Sequence, residues 1–181
     1  MRLPQLFTKT LREAPGGEVA KNSQLLTRGG FIFKNMAGVY SMLPLGVRVL
    51  DKIRRIIREE MNAIGGQELY LNTLQDKSLW DKTGRWNIED VMYEWQDGKG
   101  HNHGLGFTHE EVIGQIGSVY IESYKDLPKY VYQIQTKFRR EERPQAGLLR
   151  CREFEMKDLY SLNVDEKDLK DFYTGKLREK D

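Results

Sequence analysis

Between Lys137 and Arg152 the chain carries six basic residues, Lys137, Arg139, Arg140, Arg143, Arg150 and Arg152, against two acidic ones, Glu141 and Glu142. Guanidinium groups with so little counter-charge suit an anion, a phosphate above all, because the planar fork of arginine grips two oxygens at once. Arg139 can hold a carboxylate and a phosphate together. Glu141 offers an acceptor for an exocyclic amine, and Phe154 offers a flat face on which a purine can stack. Thr108 and Glu110, at the start of an expected helix, offer acceptors to an ammonium group. Each has an ordinary alternative: Arg139 and Glu141 as a surface ion pair, Phe154 as core, Thr108 as a helix cap. Singly, those ordinary readings are favoured; together and in this order, the residues argue for a site.

The elements that carry them follow from periodicity. From Lys129 the residues alternate, with Gln133, Gln135, Lys137, Arg139 and Glu141 on one face and Tyr132, Ile134, Thr136 and Phe138 on the other, as in a half-buried strand. One face is expected to enter a core while the other offers hydrogen-bonding groups to a ligand. Arg143-Pro144-Gln145-Ala146-Gly147 breaks the pattern, and a second extended run passes through Arg152, Phe154 and Met156. The result is a strand–loop–strand platform.

Elsewhere, a short helix is expected over Glu18–Arg28, stopped by Gly29-Gly30, then extended structure with a turn over Phe31–Leu43. Pro44–Ile64 is the clearest helix, with Leu50, Ile53, Ile57, Met61 and Ile64 on one apolar stripe and Gly65-Gly66 as its stop. A strand over Glu68–Leu71 and a brief helix over Lys77–Lys82 follow. Val91–Gln96 and His101–Phe107 read as a hairpin closed at Asp97-Gly98. Thr108 is expected to cap a helix from His109 to about Tyr124, with Glu111 completing a capping box. Asn163 with Glu166 suggests the cap of a tail helix running to Asp181. These elements predict an α+β domain, a mainly antiparallel sheet flanked by helices.

Several tempting motifs carry less. His101-Asn102-His103 lacks cysteine partners and reads as a polar hairpin, so no metal ligand is expected. Gly98, Gly100, Gly104 and Gly106 do not form a nucleotide fingerprint and read as turn glycines. Cys151, with no base beside it, reads as a small semi-buried residue.

Bulk properties agree with a soluble single domain. The 181 residues hold 29 basic and 27 acidic side chains, for a net charge of +2, so the basic excess is local. One cysteine fits a reducing compartment, no apolar run approaches the ~20 residues of a membrane span, and no targeting segment is evident. The cytoplasm is the expected location.

Phe138-Arg139-Arg140-Glu141, a loop, and Arg152-Glu153-Phe154 resemble motif 2 of the class II aminoacyl-tRNA synthetases. The longer wording, Tyr132 to Arg139, Arg143-Pro144, Gly147 to Arg150, Arg152 to Phe154 and Met156 to Asp158 with Tyr160-Ser161, resembles bacterial-type prolyl-tRNA synthetases. Thr108 to Val112, Leu43 to Leu50 and Arg58 to Met61 agree, collinearly along essentially the whole chain. The resemblance implies activation of proline with ATP and transfer to tRNA(Pro), with Mg²⁺ accompanying ATP. It implies that Arg139 contacts the α-phosphate and the proline carboxylate, that Glu141 meets the adenine amine, and that Phe154 stacks on the ring. Thr108 and Glu110 would hold the imino group, and Arg150 and Arg152 would lie near the nucleotide or the acceptor end. The Pro44–Ile64 helix resembles motif 1, which in the family builds a homodimer interface.

The pattern departs from the family in three places. Asn72 stands where motif 1 has a proline; Gln145-Ala146 and Cys151 stand where bacterial members carry Arg-Phe and Gly; and motif 3, the editing insertion and the anticodon-binding domain are not in residues 1–181. The expectation is therefore an N-terminal portion of a catalytic domain, inactive alone. The alternative is a non-catalytic truncated paralogue that binds tRNA, nucleotide or a full-length partner subunit.

Overall fold

The computed structural model describes residues 5–86 and 91–176, so the C-terminal part of the expected tail helix lies outside the described residues. The chain opens with α1 (Lys21–Arg28), a hairpin of β1 (Ile32–Met36) and β2 (Val39–Met42), and the long α2 (Pro44–Ala63). Next come β3 (Gln67–Glu68), β4 (Leu74–Asp76), α3 (Lys77–Asp81), β5 (Tyr93–Gln96), β6 (Asn102–Leu105) and α4 (Glu110–Tyr120). The last part holds β7 (Lys129–Phe138), β8 (Glu153–Leu162) and α5 (Glu166–Asp171).

Three sheets result: β1-β2, β3-β7-β8 and β4-β6-β5. All their pairings are antiparallel except β3 with β7, so the α+β class with a mainly antiparallel sheet holds. β7 and β8 pair without interruption from Lys129↔Leu162 to Phe138↔Glu153. That register puts Gln133, Gln135 and Lys137 on the same face as Phe154, Met156 and Asp158.

The expected partition of β7 changes on folding. Its polar face is not open: Gln133, Gln135 and Lys137 are all buried, as is Tyr132 on the other face. The segment from Leu71 to Gln75 and the start of α4 cover the polar face, and the polar groups find partners there. Gln135 Nε2 donates to the Leu71 carbonyl at 2.6 Å. Beside it Leu71, Val112 and Ile113 form a small core, each side chain worth ~1.5–3 kcal/mol on burial.

Several boundaries move for identifiable reasons. α1 begins at Lys21 because Glu18 turns back to Ser23 and to Lys34 of β1, tying the helix start to the hairpin. His109, not Thr108, is the residue preceding α4; neither caps it with a side chain, and the capping box with Glu111 does not form, since Glu111 accepts from Thr83 at 3.0 Å and Arg85 at 2.9 Å. α4 stops at Tyr120, before a separate turn at Tyr124–Asp126. The tail helix is capped by Asp165, which accepts from the Asp168 N–H at 2.8 Å, rather than by Asn163. The expected strand at 68–71 shrinks to Gln67–Glu68. In the β5–β6 turn the positive φ falls on Gly100, at 87°, not on Gly98. Gly98 does lie in the turn, but Gly104 sits within β6 and Gly106 just past it, where a Cβ would stand 2.2 Å from the Met92 sulfur and 2.4 Å from Gln75 Nε2 respectively.

α2 is helical as expected, but its apolar stripe is not a core face. Ile64 is buried, whereas Ile53 is 48% exposed. The helix is pinned to the sheet by polar contacts instead: Arg54 Nε to Glu155 at 2.9 Å, Arg58 Nε to Glu68 at 2.9 Å, and the Tyr132 hydroxyl to Asn62 at 2.9 Å. Between α2, the β1–β2 hairpin and β8 lies a cleft of ≈ 610 Å³ that Val47, Leu50 and Ile53 help to line.

Candidate active site

Arg139 follows β7 directly, and its N–H donates to the Arg152 carbonyl at 2.9 Å, which extends the β7–β8 ladder by one rung. Its guanidinium carbon lies 5.3 Å from the centroid of the Phe154 ring, within cation–π range. Its Nε is buried and has no hydrogen-bond partner among the described residues. A buried, unpaired guanidinium donor is costly, and an anion delivered beside Phe154 would satisfy it.

The other basic residues of the loop divide their roles. Arg150 grips Glu141 through Nε at 2.8 Å and a terminal nitrogen at 2.7 Å. Arg152 donates from Nε to the Glu141 carbonyl at 2.8 Å, and more weakly to the carbonyls of Ala37 and Glu142. Its guanidinium thus ties the loop to the β1–β2 turn and shapes the site from behind. The loop is further held by Asn22, which donates to the Ala146 carbonyl at 3.0 Å, with Ala146 itself at φ 57°. Cys151 is buried, as expected of a structural cysteine, and burial raises its thiol pKa, which disfavours the nucleophilic thiolate.

Thr108 and Glu110 come together: the Thr108 hydroxyl donates to the Glu110 carboxylate. Arg85 approaches the same carboxylate at 3.6 Å, and Glu110 lines a cleft of ≈ 350 Å³ between α3 and α4. The two residues flank His109, which points the opposite way into full burial.

Beneath both groups lies a network that residue types alone did not indicate. Lys137, counted among the anion-binding residues by sequence, is wholly buried, with Nζ 2.6 Å from the Asp158 carboxylate and in contact with His109 Nδ1. Asp158 also accepts from Gln133 Nε2 at 2.9 Å and from the Tyr160 hydroxyl at 3.2 Å. His109 Nε2 bonds the Asn72 carbonyl at 2.9 Å, so the neutral imidazole donates there and accepts from Lys137. Burial, reinforced by the Lys137 charge, lowers the His109 pKa, so the ring stays neutral. Burial likewise lowers that of Lys137 against the opposing pull of Asp158. Lys137 also feels the charges of Glu110 and Arg139, which puts the two halves of the site in one electrostatic neighbourhood. Period-two alternation did carry a signal for this network, because Gln133, Gln135 and Lys137 share a face with Arg139.

The antiparallel sheet, the strand–loop–strand with its arginine and the acidic helix start resemble the catalytic core of the class II aminoacyl-tRNA synthetases. Residues 93–180 match the family described as tRNA synthetase class II core domain (G, H, P, S and T). The chain is also similar to proline–tRNA ligases. It is 50% identical over 166 residues to proline–tRNA ligase 1 of Anaeromyxobacter dehalogenans, covering 91% of this chain and 29% of the relative. It is also 50% identical over 179 residues to the enzyme of Prochlorococcus marinus, covering 97% and 30%. The chain thus spans about a third of the length of these relatives. Its fold matches prolyl-tRNA synthetase from Cryptosporidium parvum, solved with L-proline and AMP, at a TM-score of 0.71 and 16% identity, over 84% of this chain and 33% of that one.

Proposed function

We propose that this chain is the N-terminal portion of a proline–tRNA ligase catalytic domain, which activates proline with ATP and passes the prolyl group to tRNA(Pro). The observation that carries the reading is Arg139, whose buried Nε is unpartnered and whose guanidinium lies over Phe154.

In adenylation an oxygen of the proline carboxylate attacks the α-phosphorus in line. The bond from that phosphorus to the bridging oxygen breaks, and pyrophosphate leaves. Two anions must meet, and a guanidinium touching both offsets their repulsion and fixes the angle of attack. Arg139 fills that role, and Phe154 supplies a stacking face for adenine. Glu141 meets the adenine amine with the oxygen that Arg150 leaves uncommitted, and Arg150 and Arg152 brace the loop over the nucleotide. Thr108 and Glu110 hold the imino group of proline; their mutual hydrogen bond orients the carboxylate before the substrate arrives. No enzyme-bound covalent intermediate is needed.

Mg²⁺ would accompany ATP and shield its phosphates. Among the described residues the one grouping of three metal-ligating side chains is Asp97, His101 and His103, on the β5–β6 hairpin rather than the β7–β8 face. Those residues, two of them imidazoles, do not fit a nucleotide-bound magnesium.

The apolar residues of α2 beside the 610 Å³ cleft support a homodimer with α2 at the interface. No helix among the described residues is long and apolar enough to cross a membrane. We place the protein in the cytoplasm, with ATP, L-proline and tRNA(Pro) as its substrates. Proline-dependent ATP–pyrophosphate exchange, measured on the chain extended to the length of its relatives, tests the reading. Nucleotide or tRNA binding without exchange would favour a non-catalytic paralogue.

A further inference from the structure

Asp97, His101 and His103 converge at the tip of the β5–β6 hairpin. Asp97 Oδ2 lies 3.1 Å from His101 Nδ1 and 3.4 Å from His103 Nε2, and the ligand atoms all fall within 4.8 Å of one another. We propose that this trio is a binding site for a borderline divalent transition ion, zinc in the first instance.

The spacing has the right size. A tetrahedral ion with bonds of about 2.1 Å sets neighbouring donors about 3.4 Å apart. The donor set, two imidazoles and one carboxylate, suits zinc and its late first-row neighbours rather than magnesium or calcium.

The carboxylate is built into the fold rather than loosely poised. Its other oxygen, Oδ1, accepts the N–H groups of Lys99 at 2.8 Å and His101 at 2.9 Å, while the Asp97 N–H donates to the His101 carbonyl at 2.8 Å. The turn therefore holds Oδ2 between the two rings with little freedom to swing away. The remaining His103 nitrogen, Nδ1, lies 3.9 Å from the Asp76 carboxylate, near enough to add negative charge beside the site but beyond hydrogen-bond reach. Asp76 is in turn fixed by the Ser78 N–H at 2.8 Å. His101 is 63% exposed, which leaves the solvent side open for water to complete the shell.

The site does not rest on the ligase reading. All three ligands lie on the β5–β6 hairpin, so an ion at the tip would clamp those two strands together.

Titration of the chain with Zn²⁺, and with Co²⁺ for its ligand-field absorption, tests the proposal. One equivalent should bind at neutral pH, with a Co²⁺ spectrum of low coordination number. His101→Ala and His103→Ala should each weaken binding by more than about a hundredfold, since losing a ligand exceeds the ~10–100-fold effect of losing an outer partner. Lys99→Ala, which keeps the backbone N–H that Asp97 accepts, should leave it unchanged. His101 is exposed, so its variant keeps the fold, as circular dichroism will verify. Unchanged affinity in folded His101→Ala, or no binding tighter than about 1 mM in the parent chain, would overturn the proposal.

Discussion

Lys137 Nζ meets the Asp158 carboxylate at 2.6 Å with the lysine side chain wholly buried, where it also feels the charges of Glu110 and Arg139. Strand pairing sets the Asp158 backbone opposite Gln133, four residues before Lys137 in β7, so the pair is a diagonal across the ladder. Desolvating two charges opposes the fold, and the contacts from Gln133, Tyr160 and His109 offset that loss.

Removing one partner should therefore be far worse than removing both. Lys137→Met leaves Asp158 uncompensated and should lower unfolding free energy by about 3–5 kcal/mol. Lys137→Met with Asp158→Leu should recover most of that loss. Urea denaturation of the two variants checks it, and coupling between the sites is the expected signature.

The neutral state of His109 makes stability fall in mild acid. Its folded pKa is lower than its unfolded one, so the unfolded chain binds the extra proton first. The contribution is fully present above the unfolded value of about 6.5 and is lost as pH drops toward the folded value, with a limiting slope of about 1.4 kcal/mol per pH unit. Lys137, Asp158 and Glu110 are the charges the ring feels. Denaturation midpoints from pH 7.5 downward should show this slope, and His109→Gln should flatten it.

These buried groups also mark the limit of what the sequence made legible. Alternation from Lys129 correctly gave the strand, the face shared by Gln133, Gln135, Lys137 and Arg139, and the partner strand through Phe154. It could not say which face is covered, because covering comes from Leu71–Gln75 and α4, distant in sequence. A lysine reads as exposed until its carboxylate is known, and Asp158 lies across a register that only pairing reveals. The α2 stripe misled in the opposite sense, since helical periodicity reports an apolar face without saying what it meets. Asp97 was read as a turn residue, and only the fold of the hairpin brings it to His101 and His103. Arg139 and Phe154 do meet, because the β7–β8 pairing brings their two runs side by side. Thr108 and Glu110 also meet, although the expected cap does not form.

Ala146 holds a left-handed conformation that an L side chain adopts at a cost of about 1–2 kcal/mol. Ala146→Gly should relieve it, less the entropy glycine adds to the unfolded chain, for a net gain of up to about 1 kcal/mol. A rise in thermal midpoint checks this. The neighbouring Gly147→Ala should do the reverse, because its Cβ would stand 2.0 Å from Asn22 Oδ1.

Gly106→Ala should act on the substrate side. Its Cβ meets the buried Gln75 amide, whose Nε2 approaches the Thr108 carbonyl at 3.4 Å. Displacing Gln75 should destabilise the fold by about 1–3 kcal/mol and shift Thr108. In the extended protein the KM for proline should rise more than that for ATP, as steady-state exchange kinetics will show.

The most direct test is proline-dependent ATP–pyrophosphate exchange by the chain extended to the length of its relatives, with and without Arg139→Ala. Exchange is expected in the parent, with a loss of more than about a hundredfold in Arg139→Ala and little rescue by Arg139→Lys, because an ammonium lacks the planar fork. Exchange undiminished in a folded Arg139→Ala variant would contradict the role assigned to Arg139.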